Sequence, residues 1–194
     1  MLKLIQALLV CVMTIGWITN IQASLINDDF ENGDMGGRLF ELGMGVPAIV
    51  KEFTDRSGQV YTPASGEYFA TIPTGAGLIW TNVQWQKGDR VEFQYLLADA
   101  AEGSFQLHPE WPHTGDMIAR LVDDVGSWQT FSYEFTGAED GAIALQNFGD
   151  FGSFLLVDNV SIIKVVAPSS LLLGLMGLFG LLARKRFASG MENK

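Results

Sequence analysis

The sequence predicts an all-β fold, a jelly-roll β-sandwich, and three observations carry that prediction. Turn-forming clusters recur every eight to twelve residues between positions 24 and 164. The segments between them are short, rich in aromatic and β-branched residues, and alternate apolar with polar side chains. No window of helix length there carries an apolar stripe at the helical period. A period of two belongs to strands with one buried face, and short strands punctuated at regular intervals build sandwiches.

Each element has its own justification. The turns are Asn32-Gly33-Asp34, Gly43–Gly45, Asp55–Gly58, Pro73–Gly77, Lys87-Gly88-Asp89, Gly115-Asp116 and Asp140-Gly141. Glycine supplies positive φ, proline a fixed φ, and Asn or Asp a side chain that caps its own backbone. In the stretch RVEFQYLL, Val91, Phe93, Tyr95 and Leu97 share one side, and Arg90, Glu92 and Gln94 the other. In WQTFSYEFT, Phe131, Tyr133 and Phe135 oppose Thr130, Ser132 and Glu134. Nine or ten strands are expected over residues 24–164, with no internal repeat, heptad or low-complexity linker. A segment of this length, about 141 residues, forms one core.

Three stretches carry a resemblance. LINDDFENGDMGG is similar to the opening strand of many exported jelly-roll domains: an apolar pair, Asn, Phe-Glu, then a Gly-rich turn. GSWQTFSYEFTG resembles their Gly-x-Trp-Gln strand, and FLLVDNVSII their closing strand with Asp-Asn-Val. In that order, spanning residues 25–163, they resemble the galactose-binding-like sandwich that also houses many carbohydrate-binding modules. The resemblance speaks to the fold. One fold hosts many functions, so a ligand has to be argued from a site.

The two ends read as addresses. Residues 1–23 have Lys3 as a short basic region and an apolar stretch from Leu4 to Ile18, and close on Asn20-Ile21-Gln22-Ala23. That is the layout of a secretory signal peptide cut between Ala23 and Ser24, and the apolar stretch is shorter than a membrane span. Its removal takes away Cys11, the only cysteine. The mature chain then has no disulfide and stands on core packing or bound metal. Residues 165–194 begin VVAPSSLLLGLMGLFGLLARKR. A small Pro/Ser turn, an apolar run and the basic cluster Arg184-Lys185-Arg186 resemble the PEP-CTERM sorting signal, with Ala167-Pro168-Ser169 where Pro-Glu-Pro is usual. The resemblance implies an exosortase-like processing enzyme as partner. It also implies a transient inner-membrane intermediate with the basic end in the cytoplasm, and release to the cell-envelope surface or the extracellular matrix. Retention as a plain C-terminal anchor is the alternative.

The body, residues 24–164, is strongly acidic. One of the 22 acidic residues and five of the 12 basic residues of the chain lie outside it, which leaves 21 against 7 and a net charge near −14. Nucleic acid and anionic membrane need a basic footprint and are excluded as partners. Cations are the natural counterpart.

The residues offer little for catalysis. No nucleophile elbow with a Ser/His/Asp order is present, and no Gly-rich phosphate loop. The histidines, His108 and His113 in HPEWPH, are interrupted by two prolines that spoil the presentation a zinc site wants. No strand alternates carboxylates as a glycosidase pair would. The body is therefore expected to be non-catalytic.

Binding is better served. Sugar rings stack on exposed aromatic faces. Trp111, in HPEWPH, is the first candidate for that role and Trp85, before Gln86-Lys87-Gly88, the second; Trp128 matches a framework position and belongs in the core. Strict alternation in FLLVDNVSII sets Asp158 on the side of Leu156, Val160 and Ile162. A buried carboxylate needs an Arg or a cation. The resemblance implies a structural Ca2+ joining the first and last strands through Glu31, Asp29 and Asp158. The expected function is an exported glycan-binding β-sandwich at the cell surface or in exopolysaccharide. The alternative is a structural matrix or adhesion protein that acts through protein contacts or calcium without recognising a glycan.

Overall fold

In the computed structural model, residues 24–36, 38–41, 45–109, 115–122 and 126–165 are described. The chain separates into two units, one of them Ala23–Lys164 and the other the stretches Met1–Gln22 and Val165–Lys194. Ala23, Trp111, Pro168, Arg184, Lys185 and Arg186 lie outside the described residues.

Thirteen strands are present among the described residues: β1 (Ser24–Asp28), β2 (Leu39–Glu41), β3 (Ala48–Val50), β4 (Phe53–Thr54), β5 (Val60–Tyr61), β6 (Phe69–Pro73), β7 (Ala76–Trp85), β8 (Arg90–Ala98), β9 (Gly103–His108), β10 (Asp116–Leu121), β11 (Gln129–Glu134), β12 (Glu139–Asn147) and β13 (Phe154–Ile163). Sheet A runs β11-β8-β13-β6-β3, with β1 paired to the second half of β13. Sheet B runs β10-β9-β12-β7-β2, and β4 and β5 form a separate hairpin. Every pairing is antiparallel, and the fold is the predicted all-β sandwich.

The alternation read from the sequence explains the core. Val91, Phe93, Tyr95 and Leu97 of β8, with Leu155, Val157, Val160 and Ile162 of β13, meet Leu78, Trp80, Trp85, Phe105, Leu107, Ile143 and Leu145 of sheet B. Phe131 of β11 stacks on Phe93 (ring centroids 4.8 Å apart) and tilts against Phe105 (5.3 Å), so aromatic rings join the two layers. Stacked and tilted pairs of this kind add to area burial. A second, smaller cluster (Tyr61, Phe69, Leu96, Ala98 and Leu156) lies on the other face of sheet A. The β4–β5 hairpin covers it with Phe53, and the partly buried Trp128 packs edge-on against Phe69 and donates Nε1–H to the Thr62 carbonyl (2.9 Å).

Two sequence expectations change here. Asp140-Gly141 is not a turn; both residues lie inside β12. A Cβ on Gly141 would stand 2.3 Å from the His108 carbonyl oxygen, so glycine serves a close approach of strands at a register shift. The strict alternation of β13 also fails. Asn159 sits at φ 52° in a bulge between Asp158 and Ser161, which inserts one residue and inverts the phase. Val160 and Ile162 therefore face the inter-sheet core, whereas Asp158 keeps company with Leu156 on the outer face of sheet A.

Candidate functional site

Two regions concentrate polar side chains: the loop beside Asp158, and the outer face of sheet B.

Asp158 is fully buried (0% exposed). Its Oδ2 accepts backbone N–H groups from Ala64 (3.0 Å) and Ser65 (3.1 Å), and Oδ1 accepts that of Asn159 (2.7 Å). Glu31, from the loop after β1, takes two further amides of the same segment on Oε1, those of Glu67 (2.8 Å) and Tyr68 (3.0 Å). Two carboxylates thus hold residues 64–68 by four backbone donors. Gly66 at the centre is obligatory: its φ is +67°, and a Cβ there would lie 2.2 Å from Glu31 Oε1. Burial pushes the Asp158 carboxyl up to about 6; the three donors work against that shift and the negative charge of Glu31 adds to it.

The three residues assigned to calcium are thus only partly brought together. Glu31 and Asp158 converge on one loop, and the ion pairs among the described residues engage other carboxylates. Asp29 does not join them; its Oδ1 accepts the N–H of Glu31 two residues on (3.2 Å), in a solvent-facing turn. Among the described residues no three His, Cys, Asp or Glu side chains are grouped to hold a metal ion. Glu31 and Asp158 bring two carboxylates to one loop, where their oxygens accept backbone amides.

Trp85 is not a sugar platform. It is 3% exposed, within the inter-sheet core, and stacks on Phe135 (5.0 Å, 20° between planes). Ending a strand placed it beside a turn in the sequence, but its strand phase points it inward with Val83. Trp85→Ala is expected to cost about 3–5 kcal/mol in denaturant unfolding, with ligand affinity unchanged wherever the fold survives.

The outer face of sheet B was not singled out by the sequence, and register assembles it. Cross-strand partners form rows: Gly77–Gln146–Ser104–Arg120, then Ile79–Ala144–Gln106–Met117, then Ala142–His108. Ile79, Ala142 and Ala144 make a small buried apolar cluster of their own, and Ser104, Gln106 and Gln146 beside it are buried as well. Beside it Gln106 Nε2 donates both to Ser104 Oγ (3.1 Å) and to Gln146 Oε1 (2.8 Å). Phe148, just past β12, is 47% exposed and walls a cavity of about 270 Å³ with Met117, Ser104, Gly103 and the ion-paired Arg120 and Glu102 (2.9 Å). Phe148 is fixed from behind: its N–H donates to the Glu102 carbonyl (2.7 Å), and buried Asn147 donates to the Ile72 and Ser153 carbonyls (3.0 and 3.1 Å). β9 ends at His108 and β10 begins at Asp116; Trp111, between them in the chain, lies outside the described residues.

Solved structures share this architecture. TmCBM61, solved with β-1,4-galactotriose, matches with a TM-score of 0.54 at 16% identity over 74% of this chain and 99% of its own. The CBM22-1 xylan-binding domain of Paenibacillus barcinonensis Xyn10C matches at 0.53 and 15%, over 77% and 99%. The K3 cleaved adhesin domain of Lys-gingipain from Porphyromonas gingivalis matches at 0.54 and 12%, over 73% and 100%. The fold is a jelly roll shared with carbohydrate-binding modules. No protein-family model matches the chain, and no curated protein matches it.

Proposed function

We propose that this chain is a non-catalytic glycan-binding module that works outside the cytoplasm, at the cell surface or in an extracellular polysaccharide matrix. The observation that carries the reading is the Phe148 end of sheet B: an exposed aromatic ring held rigidly beside a cavity lined by Met117, Ser104 and the ion-paired Arg120 and Glu102. Sugar recognition needs that combination, an apolar plane for the C–H face of the ring and convergent polar groups for its hydroxyls. Carbohydrate-binding modules of the same fold support it. Trp111 belongs to the reading as a second platform, carried by the β9–β10 connection. The signal-like start and the sorting-like tail support export through the inner membrane. Calcium at Glu31 and Asp158 would be structural, tying the loop at residues 64–68 to the first and last strands.

The test is a glycan array probed with the full chain and with Phe148→Ala and Trp111→Ala. Phe148→Ala is expected to weaken binding on the order of tenfold, the loss of one stacking contact of roughly 1.4 kcal/mol, and to leave the melting temperature within error because the ring is half exposed. Undiminished binding by both variants would move the site off this face.

A further inference from the structure

The edges of the two sheets are not alike. Short strands, bulges and basic side chains keep a sheet edge from pairing with another chain, and most edges here carry one of them. β2 and β3 are three residues each. β1 and β10 have register shifts, at Ser24/Ile26 and Met117/Ala119, and β10 also holds Arg120. The part of β7 that extends beyond β2 holds Asn82 at φ 57°, at a register shift of its own. β11, the edge of sheet A, has none of these. Its six residues, Gln129–Glu134, run in unbroken register with β8 and include no proline, glycine or basic residue. Among the described residues β8 is its only strand partner.

An edge strand turns half of its backbone N–H and C=O groups outward, a template for one more strand. Phe131 and Tyr133 pack on the core yet stay partly exposed, as rings at an open edge do, and Thr130, Ser132 and Glu134 are exposed on the other face. Residues opposite each other in antiparallel strands share a face. An added strand must therefore set apolar groups against Phe131 and Tyr133, and polar groups against Thr130, Ser132 and Glu134. β11 itself meets that demand. About a twofold axis through Ser132, Phe131 stands opposite Tyr133 of a second copy, and Thr130 opposite its Glu134. Glu134, the only charged residue of the strand, then meets a hydroxyl that donates to it, and no like charges stand opposite. A slip of one residue would set Phe131 against Ser132 and turn the rings to the wrong face.

We propose that a second copy of this chain pairs with β11 through its own β11, antiparallel and centred on Ser132, so that the two sheets A continue into each other across a twofold dimer. Such an interface is self-complementary, as a twofold axis requires. The net charge near −14 on each body opposes unspecific association, so what joins the copies is local and directional. The proposal stands apart from the glycan reading and does not depend on it.

Sedimentation equilibrium and disulfide trapping of the full chain, in detergent for its apolar ends, test it. Residues paired across an antiparallel ladder stand about 4.5–5.5 Å apart at Cα, within reach of a disulfide. In a Cys11→Ser background, Ser132→Cys is expected to be trapped as a dimer under mild oxidation. Thr81→Cys, exposed on β7 of sheet B, is expected to stay monomeric in the same gel. Ser132→Lys sets two like charges on the axis while lowering the net negative charge of each copy. It should weaken the dimer by about tenfold, the opposite of what relief of general repulsion would do. A wild type that sediments as a monomer at every concentration overturns the proposal and leaves this edge to a strand of another protein. A dimer that Ser132→Lys does not weaken, or that traps Thr81→Cys as readily as Ser132→Cys, overturns it too, because the copies then meet elsewhere. Trapping at Ser132 reads the pairing directly, whether or not Ser132→Lys folds.

Discussion

Replacing Asp28 by alanine is expected to lower the thermal midpoint of the chain by roughly 10–20 °C, a cost of about 3–5 kcal/mol. Asp28 ends β1 in sheet A and is buried. Its Oδ2 accepts the Nη1–H of Arg38 and the indole N–H of Trp80 (2.8 Å), a residue of β7 in sheet B. One carboxylate oxygen thus clasps the two layers at their shared edge, in a body that has no cysteine for a disulfide. Alanine would leave a partly exposed guanidinium without its carboxylate, and a buried indole donor without an acceptor. Both losses exceed the worth of the bonds themselves, because the remaining partners stay desolvated. Arg38 would still donate to the Met35 and Asp34 carbonyls (3.0 Å each), which keeps the loop ordered and confines the damage to the clasp. Asp28→Asn, which retains an acceptor for Trp80, should cost markedly less. Calorimetric midpoints of the two variants check the ordering. A loss below 1 kcal/mol for Asp28→Ala would mean that the sheets are held at this edge by apolar contacts alone.

The parts of this fold that were legible in the sequence are those in which one residue decides one thing. The alternation over Val91–Leu97 and Phe131–Phe135 forecast the buried faces of β8 and β11, because side-chain direction in a regular strand follows from position alone. Turns with a glycine or proline at their centre, such as Asp55–Gly58 and Pro73–Gly77, declared themselves. The turn between β8 and β9 did not: Asp99 and Ala100 both adopt positive φ without a glycine, a conformation that only the surrounding loops enforce. The bulge at Asn159 was equally silent, and it decides which layer Asp158 faces. The candidate site was least legible of all. Ser104 and Arg120, which line its cavity, are neighbours only because β9 pairs with β10. Phe148 looked like any apolar residue near a turn, and its exposure depends on how Asn147 holds the loop. Tryptophan attracted attention in the sequence because of its size, yet Trp85 went to the core, where large aromatics stabilise most.

Stability is also expected to fall with rising pH without calcium and to lose that dependence with it. The Asp158 carboxyl titrates near 6 in the folded chain because burial opposes its charge, against an ordinary value of 3.8. The folded state therefore binds the proton more tightly than the unfolded state, and between pH 4 and 6 it carries the larger share of protons. Under proton linkage, stability must then fall as pH rises through that window, by up to roughly 3 kcal/mol once Asp158 is ionised in both states. Most carboxylates in salt bridges behave the other way, so the sign is diagnostic. A cation at Glu31 and Asp158 would counter it, because it favours the ionised carboxyl and binds the folded chain best at neutral pH. At a hundredfold excess of calcium over its dissociation constant the gain is about 2.7 kcal/mol, enough to offset the loss. The measurement is the thermal midpoint of the full chain at pH 4.5 and pH 7, in calcium-depleted buffer and in millimolar calcium, beside Asp158→Asn, which cannot ionise. Without calcium the wild-type midpoint should drop between the two pH values relative to that of the variant; with calcium the drop should vanish, and the wild type should gain roughly 5–12 °C at pH 7. A wild-type midpoint at pH 7 that calcium leaves unmoved would show that the five backbone amides alone hold the two carboxylates and that no cation sits between them.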